Sequence, residues 1–451
     1  MQPLQFNCIY IIEGEAVLLI FKHIIIMKSK ISSILLLLVI LLASSTCDKS
    51  ADKIKNDSDI ELEDLPEPIN IQLRGAETVM VKSDQEFAFD FFAQVFEEER
   101  NDLDENFMVS PFSLSMALAM TWNGSDGDTK LAIQETLGMG DWTDDEVNNY
   151  FKKLKEAFEK TDPSTELAIA NSIWTNQNVE ILPDFISLNQ TYYNATVEPV
   201  DFASSATVGR INQWASNNTN GLIESVIEKT NASDLMYLLN ALYFKGIWVS
   251  EFDTKNTTEM NFTDEDGNRS KVPMMHQEAL FDYAENDLMQ AVELPYGNKS
   301  FSMMVLLPKV GNEVMDITDA LQQSDYWSNF YNKLSNSEVD LYIPKFNTEY
   351  SKKLNDVLTD MGMGIAFASD RANFSRMSDK DAFISLVTQD TYIATDEMGT
   401  EAAAVTTVGV GTTSINPEPN KVTFKADRPF IYIIHERSTG SILFMGVVKQ
   451  F

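Results

Sequence analysis

The sequence predicts an α+β fold, with helices gathered early and strands late in one large domain. Three observations lead there. Helical apolar spacing with Ser and Thr start signals fills residues 83–160, and β-prone runs dominate from residue 166 onward. The two kinds of element do not alternate as βαβ units would.

In chain order, the first helix start is read at Ser83-Asp84-Gln85-Glu86, a capping box ahead of Phe87, Phe91, Phe92 and Val95 on one face. In NFMVSPFSLSMALAMTW, residues 106–122, a short apolar run meets Ser110 as N-cap and Pro111 at the first helical position. Thr143-Asp144-Asp145-Glu146 is a second capping box, followed by Val147, Tyr150, Phe151, Leu154 and Phe158 at helical spacing. Strands are expected at 167–174, 235–244, 301–307 and 339–343. A late helix is expected at 352–361, stopped by Gly362. Residues 422–451 read as strands with a turn at 437–440.

Upstream, residues 27–47 read MKSKISSILLLLVILLASSTC. Lys28 and Lys30 precede an apolar core of 12 residues, 31–42. That is shorter than the roughly 20 residues a membrane span needs and suits a secretory signal. Cys47 follows small residues as in a bacterial lipobox, which makes it the candidate lipidation site; Thr46 departs from that pattern, and an ordinary cleaved signal peptide is the other reading. The first 26 residues lack a signal's architecture, so Met27 is read as the start. The expected organisation is a signal region at 1–47, a charged tether at 48–80 and a folded domain at 81–451. The expected location is outside the cytoplasm, lipid-anchored to a bacterial envelope or secreted.

Composition removes several function classes. With 68 acidic against 34 basic residues, the net charge of -34 opposes any phosphate backbone, so nucleic acid is not an expected partner. The two cysteines, Cys8 and Cys47, leave the domain without a disulfide or a Cys-based zinc cluster. His276 and His435 are the two histidines beyond residue 50 and are read as structural. Asp264 to Asn268 reads as a polar turn, because its glycine is misplaced for a calcium loop. No nucleophile elbow, metalloprotease motif or phosphate loop occurs, so an enzyme, a cofactor and a metal are not expected.

One stretch stands apart from the rest. Residues 402–417 carry no charge apart from the acidic chain around them, and Ala402, Ala403 and Ala404 lead into Val and Thr residues that favour a strand. Gly399, Gly409 and Gly411 keep that stretch loose. Such a segment suits exposure first and entry into a sheet later.

The segments NFMVSPFSLSMALAMTW, INQWASNNTNGLIESVI, NALYFKGIW, VELPYGNKSFSMMVLLPK, DEMGTEAAAV and FKADRPFIYII with LFMGVV resemble the serpins, in serpin order across 81–451. The resemblance implies three β-sheets, eight to nine α-helices and an exposed reactive-centre loop at about 397–420. It further implies a monomeric inhibitor of serine endopeptidases that traps its target covalently while the cleaved loop inserts into the central sheet. The matching hinge residues are Glu397, Gly399, Thr400, Ala402, Ala403 and Ala404. Physical reasoning agrees with them: on insertion Thr400, Ala402, Ala404 and Thr406 would face the core, where only small uncharged side chains fit.

Counting from Gly399 as inhibitory serpins do, the reactive bond falls at Thr413–Ser414, with Glu418-Pro419 allowing a shift of one or two residues. An uncharged, compact Thr413 suits an elastase-like or subtilisin-like protease, with a papain-like cysteine protease as the alternative. Ser110, Ser113 and Asn240 match the family's cluster at the opening point of the sheet, where Gln389 replaces the usual histidine. Lys345, Glu397 and Trp248 match the group at the sheet's top. A non-inhibitory serpin that acts as a binding or surface protein is the remaining alternative.

Overall fold

The computed structural model describes residues 65–100, 106–400 and 421–451, all within the compact unit Ile60–Phe451. Among them are nine α-helices. Helix α1 (Ala76–Glu99) starts well before the expected capping box, and Ser83 lies inside it. Its apolar stripe reaches back to the buried Met80 and Val81, and Arg74 N donates to Glu77 Oε2 at 2.8 Å to close the start. Residue 81, the expected domain boundary, is therefore mid-helix. Strand β1 (Phe107–Val109) leads into α2 (Pro111–Gly124), every residue of which is buried. Ser110 is extended ahead of Pro111, as the sequence predicts, but its hydroxyl does not cap the helix. It donates instead to Leu443 O at 2.6 Å.

Helices α3 (Gly127–Thr136) and α4 (Asp144–Thr161) follow. The capping box that opens α4 forms as expected, with Glu146 N donating to Thr143 Oγ1 and Thr143 N to Glu146 Oε2. Next come β2 (Glu166–Asn176), α5 (Pro183–Tyr193), β3 (Thr196–Val200), α6 (Ser205–Asn218) and β4 (Met236–Ile247). Then β5 (Thr258–Thr263), the long β6 (Arg269–Glu285), β7 (Met289–Pro295) and β8 (Phe301–Pro308) run consecutively. Short helices α7 (Val314–Leu321) and α8 (Tyr326–Tyr331) precede β9 (Ser335–Pro344) and β10 (Phe346–Lys353).

The late helix is shorter than expected: α9 spans Asn355–Asp360, because Lys352 and Lys353 are spent in β10. Gly362, at φ 111°, stops it. The chain ends with β11 (Leu386–Thr395), β12 (Gly399–Thr400), β13 (Val422–Lys425), β14 (Phe430–Glu436) and β15 (Ile442–Val448).

Two hydrogen-bonded networks hold these strands. One runs β10-β11-β12-β4-β2-β3 and is the central sheet. The other runs β1-β15-β14-β8-β7-β6-β9-β13, with β5 added against β6. Its long β6 pairs with β5 over 269–274, with β9 over 274–283 and with β7 over 282–285, so two sheets share one strand. That gives the three sheets of the expected α+β architecture. The core lies between the central sheet, α2 and the β8–β14–β15 layer, with Phe92, Met116, Leu238, Ile393, Ile433 and Phe444 all fully enclosed. A second apolar cluster covers the other face of the central sheet, where Trp214 of α6 meets Trp174 of β2.

Candidate functional site

The central sheet contains a seam. Strands β11 and β4 pair in parallel, with Leu386 opposite Tyr237 through Tyr392 opposite Tyr243. Beyond that point they separate, and β12 sits between them, antiparallel to both. Thr400 stands opposite Thr395 on one side and Gly246 on the other. A parallel pair is the weaker arrangement per residue, and a strand antiparallel to both partners would replace it by two stronger ladders. The seam is thus a place where the sheet gains by accepting a strand.

The chain reaches the seam through a tight turn. Asp396 N donates to Gly399 O at 2.8 Å, which closes a two-residue loop of Glu397 and Met398. The indole N–H of Trp248 donates to Asp396 O at 2.9 Å, while the amides of Trp248 and Phe252 take the carbonyls of Met398 and Glu397. Glu397 is 7% exposed and accepts from Lys345 Nζ at 2.7 Å and from Thr257 Oγ1 at 2.8 Å. Burial alone would raise its pKa, but the bonds from Lys345 and Thr257 outweigh burial and hold the carboxyl below its ordinary value.

Thr400 is fully buried, and its hydroxyl is 2.7 Å from that of Tyr296, whose ring stacks on Trp248. Gly399 is required by close approach: a Cβ there would stand 2.1 Å from Gly246 O. Gly246 is crowded in turn, since its own Cβ would be 2.9 Å from the Tyr296 ring.

Lower on the seam the expected polar cluster comes together. Ser110, Ser113, Asn240 and Gln389 are each at most 1% exposed. Gln389 Nε2 donates to Ser110 O at 2.9 Å and to Asn240 Oδ1 at 2.7 Å, and its Oε1 accepts from Ser110 N at 2.7 Å. Asn240 Nδ2 donates to Ser113 Oγ and to Asn171 Oδ1. Gln389 and Asn240 are register partners on β11 and β4, so their bond crosses the seam itself.

Next to Gln389 lies Asp390, 3% exposed, with one carboxylate oxygen lacking a partner. Burial pushes its pKa up to about 7, partly offset by Ser351 and Thr388, with Glu349 adding to the rise.

Some expectations need revision. The exposed loop is expected from about 397, yet Glu397–Thr400 are held in the turn and the sheet. Ala402, Ala403, Ala404, Thr413, Ser414 and Cys47 lie outside the described residues. Sequence reasoning missed Thr257, Gly246, Tyr296, Asn171 and Asp390. Only Asp390 carried a visible signal, a charge inside a β-prone run.

Comparison with known proteins places this geometry among relatives. The profile of the family described as Serpin (serine protease inhibitor) matches residues 82–450. An uncharacterised serpin-like protein of Methanosarcina acetivorans is 34% identical over 371 residues, covering 80% of this chain and 86% of its own. Human leukocyte elastase inhibitor is 34% identical over 374 residues, covering 80% and 96% respectively. Among solved structures, the thermophilic serpin tengpin in its native state superposes with a TM-score of 0.77 at 31% identity, over 86% of this chain and 98% of that one. Human thyroxine-binding globulin superposes at 0.75 with 28% identity, over 83% and 99%.

Proposed function

Because the chain belongs to the serpin family, we propose that it inhibits a serine endopeptidase as a suicide substrate, with the reactive bond at Thr413–Ser414. The observation that carries this reading is β12: two hinge residues already seated at the head of a parallel seam, in the orientation a longer strand would take. Cleavage at Thr413 forms an acyl-enzyme with the protease nucleophile. The freed segment then extends β12 down between β11 and β4, residue by residue, and draws the tethered protease along before water can release it. Insertion must break the Gln389–Asn240 bond, which makes that cluster the latch of the seam.

The compact, uncharged Thr413 points to an elastase-like or subtilisin-like target, and the 34% identity to leukocyte elastase inhibitor supports it. Export belongs to the same proposal: residues 27–47 direct the chain out of the cytoplasm, and Cys47 takes a lipid anchor. A mass spectrum of the mature N-terminus checks the second point.

Incubation with pancreatic or neutrophil elastase tests the inhibitory reading. The expected product is an SDS-stable complex, with release of a fragment spanning residues 414–451. Quantitative cleavage without any complex, across elastase, subtilisin and papain, would sink it and return the chain to the non-inhibitory binding class.

A further inference from the structure

The geometry points to a divalent transition-metal site on the β6–β9 face, formed by His276, Glu278 and Asp340. The two strands are antiparallel, with Glu278 opposite Asp340 and His276 opposite Tyr342. His276 and Glu278 are two residues apart and so share a face, while Asp340 lies across from one and diagonal to the other. One ligand atom from each falls within 4.8 Å of the other two, and His276 Nε2 is 2.9 Å from Asp340 Oδ1. Ligands of a tetrahedral zinc ion sit about 2.1 Å from it and so about 3.4 Å from one another. Rotamer-scale movement of three side chains on fixed strands closes that difference.

The surroundings favour a cation. The Tyr342 ring stacks on His276 at 4.3 Å and fixes the plane of the imidazole. Glu338 adds a third carboxylate to the field, and among the described residues Lys421 pairs with this group, its Nζ 2.8 Å from Glu278 Oε2. An imidazole with two carboxylates suits Zn²⁺, Co²⁺ or Mn²⁺ better than calcium, which takes oxygen alone, or copper(I), which prefers sulfur. Binding through Nε2 displaces the proton that Nε2 shares with Asp340, which passes to Nδ1 or to solvent, and water completes the coordination. No spacing motif announces the site, since 64 residues separate His276 from Asp340.

The ion and Lys421 would compete for Glu278. Lys421 immediately precedes β13, which pairs with β9 at Val422–Val339, and it directly follows the reactive segment. Metal binding would therefore free the side chain at the point where that segment rejoins the fold. Competing imidazole and thiol ligands are few. Of the other candidate soft ligands, Cys8, His23 and Cys47 precede residue 48, and His435 is 1% exposed.

The test is titration of chelator-treated protein with ZnCl2 by calorimetry and with CoCl2 by visible absorption. One ion per chain with micromolar Kd is expected, together with Co²⁺ ligand-field bands. His276→Ala and Asp340→Asn should each weaken binding at least about tenfold while the melting temperature holds. Lys421→Ala should tighten it several-fold. Absence of binding to the parent protein, or unchanged affinity in His276→Ala, would overturn the site. Equal or weaker binding by Lys421→Ala would overturn the competition for Glu278.

Discussion

Glu397 is where one carboxylate fixes the start of the reactive segment. Lys345 and Thr257 hold its pKa below the ordinary carboxylate value in the folded state. A lowered folded pKa contributes stability that is present above the unfolded value and is lost as pH falls through the folded one. Lys345→Ala should therefore lower stability by about 1–3 kcal/mol at neutral pH, the worth of a charge-assisted bond lost from a buried acceptor. The gap between variant and parent should narrow as pH falls below the unfolded value of 4.5 and close further once Glu397 is protonated in both. Melting curves across that range check it, and a gap that stays constant would assign the loss to packing. Trp248 and Glu397 stand in segments that carry the family resemblance, and Lys345 is the position that matches the ion-pair partner of Glu397. Gly246 and Tyr296 stand in such segments too, but their roles arise only when register sets Gly399 and Thr400 against them.

At the scale of the element, β11 carries the gate. Gln389 replaces a titratable residue in the latch, yet Asp390 beside it brings titration back to the same strand, next to Ser351, Thr388 and Glu349. Its folded pKa is raised to about 7 from 3.8, so the folded state holds a proton that the unfolded chain has released. The sign follows: stability from this group is complete below 3.8 and is lost as pH rises through about 7. Asp390→Asn should raise stability at pH 8 by a few kcal/mol in order of magnitude, read as a higher melting temperature, and leave it nearly unchanged near pH 4. Asp84, buried against Tyr150 and also raised to about 7, acts with the same sign, so part of the parent's alkaline loss will persist in the variant. An identical pH profile in variant and parent would remove Asp390 from the account.

Strand β11 itself was not among the strands that periodicity picked out, while β2, β4, β8 and β9 were; the first three are a little longer in the fold than in the sequence reading, and β9, Ser335–Pro344, is twice as long. Local signals failed where tertiary packing overrode them. The cap at Ser83 lost to the buried Met80 and Val81, and the helix expected from Lys352 lost two residues to pairing with β11.

For the whole molecule, the described fold is a sheet with a parallel seam and β12 at its head, and the proposed mechanism adds the residues after β12 to that seam as a strand. Adding that strand would create around ten ladder bonds at roughly 0.5–1.5 kcal/mol each, on the order of 5–15 kcal/mol before the lost parallel pairing is subtracted. The α+β class was legible from the order of elements, but the seam was not, because strand direction and neighbour are set by the long connection between β4 and β11, residues 248–385. Cleavage in the reactive segment should raise the melting temperature on the order of 10–30 °C. The control must leave the resting state intact. Thr400 is already seated against Tyr296, so a charge there would disturb the uncleaved protein as well. Residue 404 has the same strand parity and lies beyond β12, which makes Ala404→Arg the cleaner probe of insertion alone. The variant should melt with the parent before cleavage, be cut as readily by elastase, form no SDS-stable complex and show little of the thermal gain. A full gain in cleaved Ala404→Arg would mean that the added stability comes from somewhere other than the seam.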